Sequence, residues 1–268
     1  MSMGFASVLL AAVVAVTAAQ AEFAGAAQRV CNFDADTVDI PPAGFLFGRT
    51  GSGRPGRWMV RSEASAPSGA NVLAQVDTDN TDYRFPVAVV DDSNLRDLRL
   101  SVKCKPVSGK VDQACGLVFR YRDENNYYVA RANALEDNVN LYYVKDGRRT
   151  QITGWRVITG YLTGVLGGAK KVSSGTWHDL AVEATGDHLE VYWEGTRIID
   201  SHDETFADAG KIGVWTKADS VTYFDDLSVE PRGGSAQTES GRGQDGSACP
   251  YMTSFGGEDV WSLSWREA

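Results

Sequence analysis

Arginine, asparagine and aromatic side chains recur at alternate positions in four short stretches of this chain, with apolar residues between them. Side chains alternate across a β-strand, so the apolar set shows which face turns to a core. With Leu117, Phe119 and Tyr121 inward, Arg120 points outward. With Tyr128, Ala130 and Ala132 inward, Tyr127, Arg131 and Asn133 share the other face, although this stretch can be read in either phase. Val139, Leu141 and Tyr143 inward leave Asn140 and Tyr142 outward, and Ile212 and Val214 inward leave Trp215 and Lys217. If these strands are neighbours, one sheet face collects all of these polar and aromatic groups. Planar donors and acceptors beside aromatic rings suit a pyranose, whose C–H face stacks on a ring while its hydroxyls exchange hydrogen bonds. The alternative is an ordinary solvated face of an antiparallel sheet, where the same residue types are common.

Carboxylates supply the other candidate chemistry. Asp225 shares the phase of Val221, Tyr223, Leu227 and Val229, which puts a charge on the core side of a strand. A buried carboxylate needs hydrogen bonds, a cation or a metal. Asp34 and Asp36, within Asn32-Phe33-Asp34-Ala35-Asp36, offer further oxygen donors near the other end of the chain, and such a set suits a structural Ca²⁺. Hydrogen bonding of Asp225 to backbone amides is the competing reading. Asp123, Glu136, Asp137 and Asp219 fall near the polar face at strand ends or in loops and are the candidates for acid–base catalysis. His178 shares its phase with Leu180 and Val182, which favours a core histidine over a base. No Gly-x-Ser-x-Gly turn is present, and the four cysteines and three histidines have no zinc-ligand spacing.

The elements that must position these groups are strands. Alternation of period two marks 97–104, 115–121, 126–133, 138–144, 177–184, 188–193, 211–217 and 221–229, with Asp146-Gly147, Gly186-Asp187 and Glu194-Gly195 as tight turns between runs. The expected fold is all-β, a two-sheet antiparallel sandwich or jelly roll over 33–231, preceded by a lead at 22–32. Gly-rich 154–172 reads as a long loop, either a lid or an insertion; 232–248 reads as a flexible linker. The 249–268 tail, with Trp261, Leu263 and Trp265 alternating, reads as one docked strand. Cys104 and Cys115 would face each other across a hairpin, and Cys31 and Cys249 would staple the termini; four buried free thiols are the alternative.

Compartment and charge narrow the partners. Residues 1–21 are uncharged, hold an apolar run from Val8 to Val16 and end in Ala19-Gln20-Ala21, the pattern of a secretory signal peptide cleaved near Ala21, with a buried N-terminal helix as the alternative. The run is too short to span a bilayer. A formal charge of −9, from 26 Lys+Arg and 35 Asp+Glu, opposes nucleic acid and anionic membrane surfaces.

Gly116-Leu117-Val118-Phe119-Arg120-Tyr121-Arg122-Asp123, Asn126-Tyr127-Tyr128-Val129-Ala130-Arg131, Trp177-His178-Asp179-Leu180 and Phe224-Asp225-Asp226-Leu227 resemble, in that order, segments of a concanavalin A-like jelly roll. The nearest resemblance is to the 3-keto-disaccharide hydrolase family, also described as family 16 glycoside hydrolase-like or laminin G-like. It implies a sandwich with a concave sugar-facing sheet, supports Arg120 and Arg131 on that face, and likens the Phe-Asp-Asp strand end to calcium-supported sites. The Glu-x-Asp-x-x-Glu triplet of glucanases of this fold is absent. Three functions follow as expectations. The first is an exported module that binds carbohydrate on the concave face. The second is a hydrolase or lyase of 3-keto-glycosides that binds substrate through Arg120, Arg131 and Lys217. The third is a laminin G-like protein-binding module.

Overall fold

The computed structural model describes residues 28–152, 171–232 and 251–252, and every regular element among them is a strand. One sheet runs in the order β13 (Thr196–His202), β12 (His188–Trp193), β11 (His178–Thr185), β6 (Leu98–Ser108), β15 (Val221–Pro231), β1 (Gln28–Cys31) and β16 (Tyr251–Met252). Strand β4 (Asn71–Gln75) also pairs with β15, and β3 (Trp58–Ser62) pairs with β4. The second sheet runs β10 (Arg148–Gln151), β9 (Asn138–Lys145), β8 (Asn126–Asn133), β7 (Ala114–Asp123), β14 (Lys211–Trp215), β5 (Arg84–Val90) and β2 (Phe45–Gly51). All pairings are antiparallel, giving the expected two-sheet sandwich. The expected tight turns form with positive φ at Asp146 and Gly147, at Glu194 and Gly195, and at Gly186.

The sheets differ in how they are buried. Strand β6 alternates buried and half-exposed residues along most of its length, so one face meets the core and the other meets water. In the second sheet β5 is buried at every position and β8 at all but its first. Its inner face, with Leu117, Phe119, Tyr128, Leu141 and Val214, packs on Leu100, Val102, Leu180, Val191 and Phe224 of the first sheet. Its outer face carries a second apolar cluster that includes Phe85, Val118, Tyr127, Val129, Val144 and Trp215. Two hairpin ends fold over that cluster. The Thr50 hydroxyl donates to the Glu124 carbonyl, the Gly147 N–H to the Asn125 carbonyl, and Tyr83 Oη both donates to the Gly147 carbonyl and accepts the Arg149 N–H.

Cys104 and Cys115 are bonded, but not across a hairpin. Cys104 lies in β6, which pairs with β11 and β15, and Cys115 lies in β7, which pairs with β8 and β14. Between them the chain turns a corner from one sheet to the other, so the bond joins the two layers. A Cβ at Gly109 would lie 1.8 Å from the Asp112 carbonyl oxygen, so the corner requires glycine there. Of the second expected pair, Cys31 is buried in the core and Cys249 lies outside the described residues. The expected signal peptide, linker and tail strand also lie outside them, as do all but the last residues of the 154–172 loop. Strand β1 starts at Gln28, so the first sheet begins within the expected lead, ahead of residue 33.

Replacing both Cys104 and Cys115 by Ser is expected to lower unfolding free energy in urea by about 3 kcal/mol while leaving far-ultraviolet circular dichroism unchanged. An unchanged urea midpoint would count against a stabilising cross-layer bond.

Candidate functional site

Register decides which predicted residues meet. Arg131 is opposite Asn140, Asn133 is opposite Asn138, and Gln151 is opposite Tyr142, so these side chains share one end of the second sheet's outer face. The Arg131 guanidinium takes the Glu136 carboxylate with Nη2 at 2.8 Å and Nη1 at 3.3 Å, and Nη2 also donates to Asn138 Oδ1 at 2.7 Å. It lies 5.6 Å over the Tyr142 ring. The hydrogen bond from Arg131, strengthened by its charge, holds the Glu136 carboxyl down at about 2 against the opposing effect of burial. The Asn140 amide lies 3.2 Å from Gln151 Nε2.

A second polar group adjoins it. Lys217 Nζ lies 2.8 Å from both Asp82 and Asp112, and Asn133 Nδ2 donates to Asp112 at 2.8 Å. Burial alone would lower the Lys217 ammonium, but hydrogen bonds to the two carboxylates outweigh it and hold it above the ordinary lysine value. Burial pushes the Asp112 carboxyl up, and Lys217 opposes that shift.

Tyr127 and Trp215 occupy the predicted face but are fully buried there. Trp215 Nε1 donates to Tyr127 Oη, which lies 2.7 Å from Thr50 Oγ1, and burial raises the Tyr127 phenol. Arg149, which the sequence reading missed, lays its guanidinium 4.7 Å from the Phe85 and Tyr142 ring centres and 5.9 Å from that of Trp215. Continuing the alternation through the Asp146-Gly147 turn finds it, because Arg149 is opposite Val144.

Arg120 departs from the expected placement. It adopts a positive φ of 47° where β7 carries one extra residue against β14, Gly213 facing Val118 and Lys211 facing Tyr121. The extra residue of this bulge reverses the alternation. The side chain turns between the sheets, where it donates to the carbonyls of Arg96, Phe206 and Gly186 at 2.9, 2.9 and 2.6 Å. It ties loops together and does not reach the polar face.

Each catalytic candidate is already engaged. Asp123 accepts the Asn125 N–H and Asn126 Nδ2, closing the β7–β8 turn. Asp137 accepts the Val172 N–H at 2.9 Å. Asp219 accepts the N–H groups of Lys110, Val111 and Asp112 at the sheet-to-sheet corner, which lowers its carboxyl despite burial. Glu136 is the partner of Arg131. His178 is a core histidine, with Nδ1 2.8 Å from Glu194 Oε1 and its ring 4.7 Å from that of Trp193.

Asp225 lies fully buried at a bulge in β15. Its carboxylate accepts the Ser68 N–H at 3.0 Å and the Asp226 N–H at 2.8 Å, and the Ser68 hydroxyl lies within reach of both Asp225 and Asp226. Burial, aided by the charge of Asp226, pushes the Asp225 carboxyl up to about 6. Asp34 joins the same loop from the other side, accepting the N–H groups of Ala70 and Asn71 at 2.8 and 3.1 Å. A Cβ on Gly69 would lie 1.9 Å from Asp34 Oδ2, so this approach also requires glycine. Asp36 contributes its backbone carbonyl to Asn71, while its carboxyl turns to the Ala43 backbone.

No family model matches the sequence, and no curated protein matches it. Among solved structures the chain is similar to the cellulose-induced protein Cip1, with a TM-score of 0.53 at 10% identity over 76% of this chain and 97% of that one. It is also similar to the carbohydrate-binding module CBM66 from Bacillus subtilis, with a TM-score of 0.47 at 18% identity over 72% of this chain and 98% of the module. A third similar structure is domain 4 of AbnA, an extracellular arabinanase from Geobacillus stearothermophilus in complex with arabinotriose. Its TM-score is 0.47 at 13% identity, over 77% of this chain and 93% of that domain. The likeness to Cip1 is one of fold, a shared β-sandwich.

Proposed function

We propose that this protein is an exported carbohydrate-binding β-sandwich whose ligand docks on the outer face of the seven-stranded sheet, at the end where Tyr142 is ringed by Arg131, Asn140, Arg149 and Gln151. The observation that supports this reading most is the pairing of a permanent acceptor with fixed donors around one aromatic ring. Glu136, held ionised far below neutral pH, can only accept, whereas the Asn138 and Gln151 amides also donate. A vicinal diol both donates and accepts, so it matches that pairing. The network beneath is buried and mutually bonded, so little ordering accompanies docking. The disulfide between the layers favours an oxidising compartment, in keeping with the signal-peptide reading.

The hydrolase or lyase reading needs a carboxyl able to hold and release a proton near neutral pH. Glu136 is too acidic for that, and Asp123, Asp137 and Asp219 are occupied by backbone or turn contacts, which favours binding over turnover.

The purified protein is expected to be retarded by at least one polysaccharide in affinity electrophoresis, equally at pH 5 and pH 8 because Glu136 does not titrate between them. Tyr142→Ala and Gln151→Ala should each weaken retention roughly tenfold, Gln151→Ala without change in melting temperature. Retention indifferent to both substitutions would move the site elsewhere. Silence against every polysaccharide would favour the protein-binding reading, and product release from a 3-keto-glycoside would favour the enzyme.

A second reading rests on the buried Asp225. Asp225 and Asp34, which converge on the Ser68–Asn71 loop with Ser68 and Asn71 as further oxygen donors, would hold a Ca²⁺ whose charge offsets the repulsion between Asp225 and Asp226. Because Asp225 binds its proton more tightly in the folded state, metal-free protein holds this contribution below about pH 4 and loses up to about 3 kcal/mol of it as pH rises through about 6. Calcium should therefore raise the melting temperature at pH 7, and Asp225→Asn should abolish both the calcium response and the pH-dependent loss. A melting temperature insensitive to calcium and to chelator at pH 7 would rule the site out.

A further inference from the structure

The chain contains three histidines, and the fold sets two of them face to face. His188 on β12 is directly opposite His202 on β13, and the rings stack with centroids 4.8 Å apart and 21° between planes. The next pair on the same face is Glu190 opposite Asp200. Residues two apart on a strand share a face, so these side chains form a two-by-two patch on the outer surface of the hairpin at the edge of the nine-stranded sheet. His188 Nε2 lies 2.8 Å from Asp200 Oδ1, and one ligand atom each from His188, Glu190 and Asp200 lie within 4.8 Å of one another.

We propose that this patch is a binding site for a divalent transition-metal ion of the Zn²⁺ class. Imidazole nitrogens mixed with carboxylate oxygens suit Zn²⁺, Ni²⁺ or Cu²⁺, whereas Ca²⁺ takes oxygen donors alone. The ligands come from both strands of one hairpin, whose backbone ladder already holds them close. The site stands apart from the carbohydrate face, on the other sheet. Sequence spacing alone does not suggest it: positions 188, 190, 200 and 202 become a cluster only through the β12–β13 register.

A resident cation occupies the patch without metal. Arg197 pairs with Glu190 and lies 3.2 Å from Asp200, and its side chain is half exposed. Asp187 faces His202 at 3.1 Å and adds negative charge at the rim. A metal entering between the carboxylates displaces the guanidinium into water, so Arg197 is a competitor, not a ligand.

The test is a titration of tag-free, chelator-stripped protein with ZnCl₂, in millimolar calcium so that oxygen-donor sites are already filled. Bound metal is read by calorimetry and by equilibrium dialysis. The expected result is one Zn²⁺ per chain. His188→Ala and His202→Ala should each weaken binding roughly tenfold or more, and Arg197→Gln should strengthen it several-fold by removing the competing cation. All three side chains are more than a third exposed, and circular dichroism of each variant checks that the hairpin is intact. No bound zinc in the unsubstituted protein, or equal affinity in the His188→Ala/His202→Ala double variant, would overturn the proposal. Unchanged affinity in Arg197→Gln would remove the carboxylates from the ligand set and overturn it as stated.

Discussion

Strand β15 has two partners on one edge, and the buried carboxylate of Asp225 marks where one gives way to the other. Thr222 to Phe224 pair with β4, Leu227 to Val229 pair with β1, and β6 runs along the opposite edge of both. At the switch the ladder bulges and Asp226 takes a positive φ of 49°. Two strands cannot abut end to end on one edge without leaving backbone groups unpaired. Asp225 fills that gap by accepting the Ser68 N–H, and Asp34 performs the matching task for Ala70 and Asn71. The β3–β4 hairpin and β1 are thus held on the same edge by two carboxylates, Asp225 buried and Asp34 exposed to water.

Double-sided burial shapes the other sheet. Once the β7–β8 and β9–β10 turns fold over its outer face, any polar side chain caught beneath has to find a protein partner. Tyr127 with Thr50 and Trp215 is the outcome there, and at the opposite end of the face, beside the β8–β9 turn, Arg131 pairs with Glu136 and Lys217 with Asp112 and Asp82. The same pressure that makes these groups a satisfied network also fixes their geometry. What reaches solvent is its border: Glu136, Gln151 and Asp82.

Strands that lie half in water were legible in the sequence. Leu98–Ser108 and His188–Trp193 alternate in burial as they alternate in chemistry; the second is legible with its observed bounds, the first only as far as Cys104. Arg84–Val90 was not, because a strand covered on both faces has no polar phase. The eight polar-face candidates divide for equally local reasons. Arg131, Asn133, Asn140 and Tyr142 fall together because β8 and β9 keep a regular register, and Lys217, just past the end of β14, joins them through Asp112, which also holds Asn133. Tyr127 and Trp215 have the right direction, but their depth depends on turns distant in sequence. Arg120 was misdirected by one extra residue in a bulge. The cysteine pair was read correctly as a pair and wrongly as a hairpin, since spacing does not tell a turn within a sheet from a corner between sheets.

That corner has a consequence for resistance to proteolysis. Lys110 and Val111 stand exposed on a short connection, where a protease would ordinarily cut. Cleavage requires several residues to straighten into the enzyme's cleft and offer their amides to it. Here three successive amides are held by Asp219, Gly109 packs against the Asp112 carbonyl, and a covalent bond between the layers closes the loop from behind. The exposed lysine is visible to a trypsin-like enzyme, while its backbone is not free to be processed.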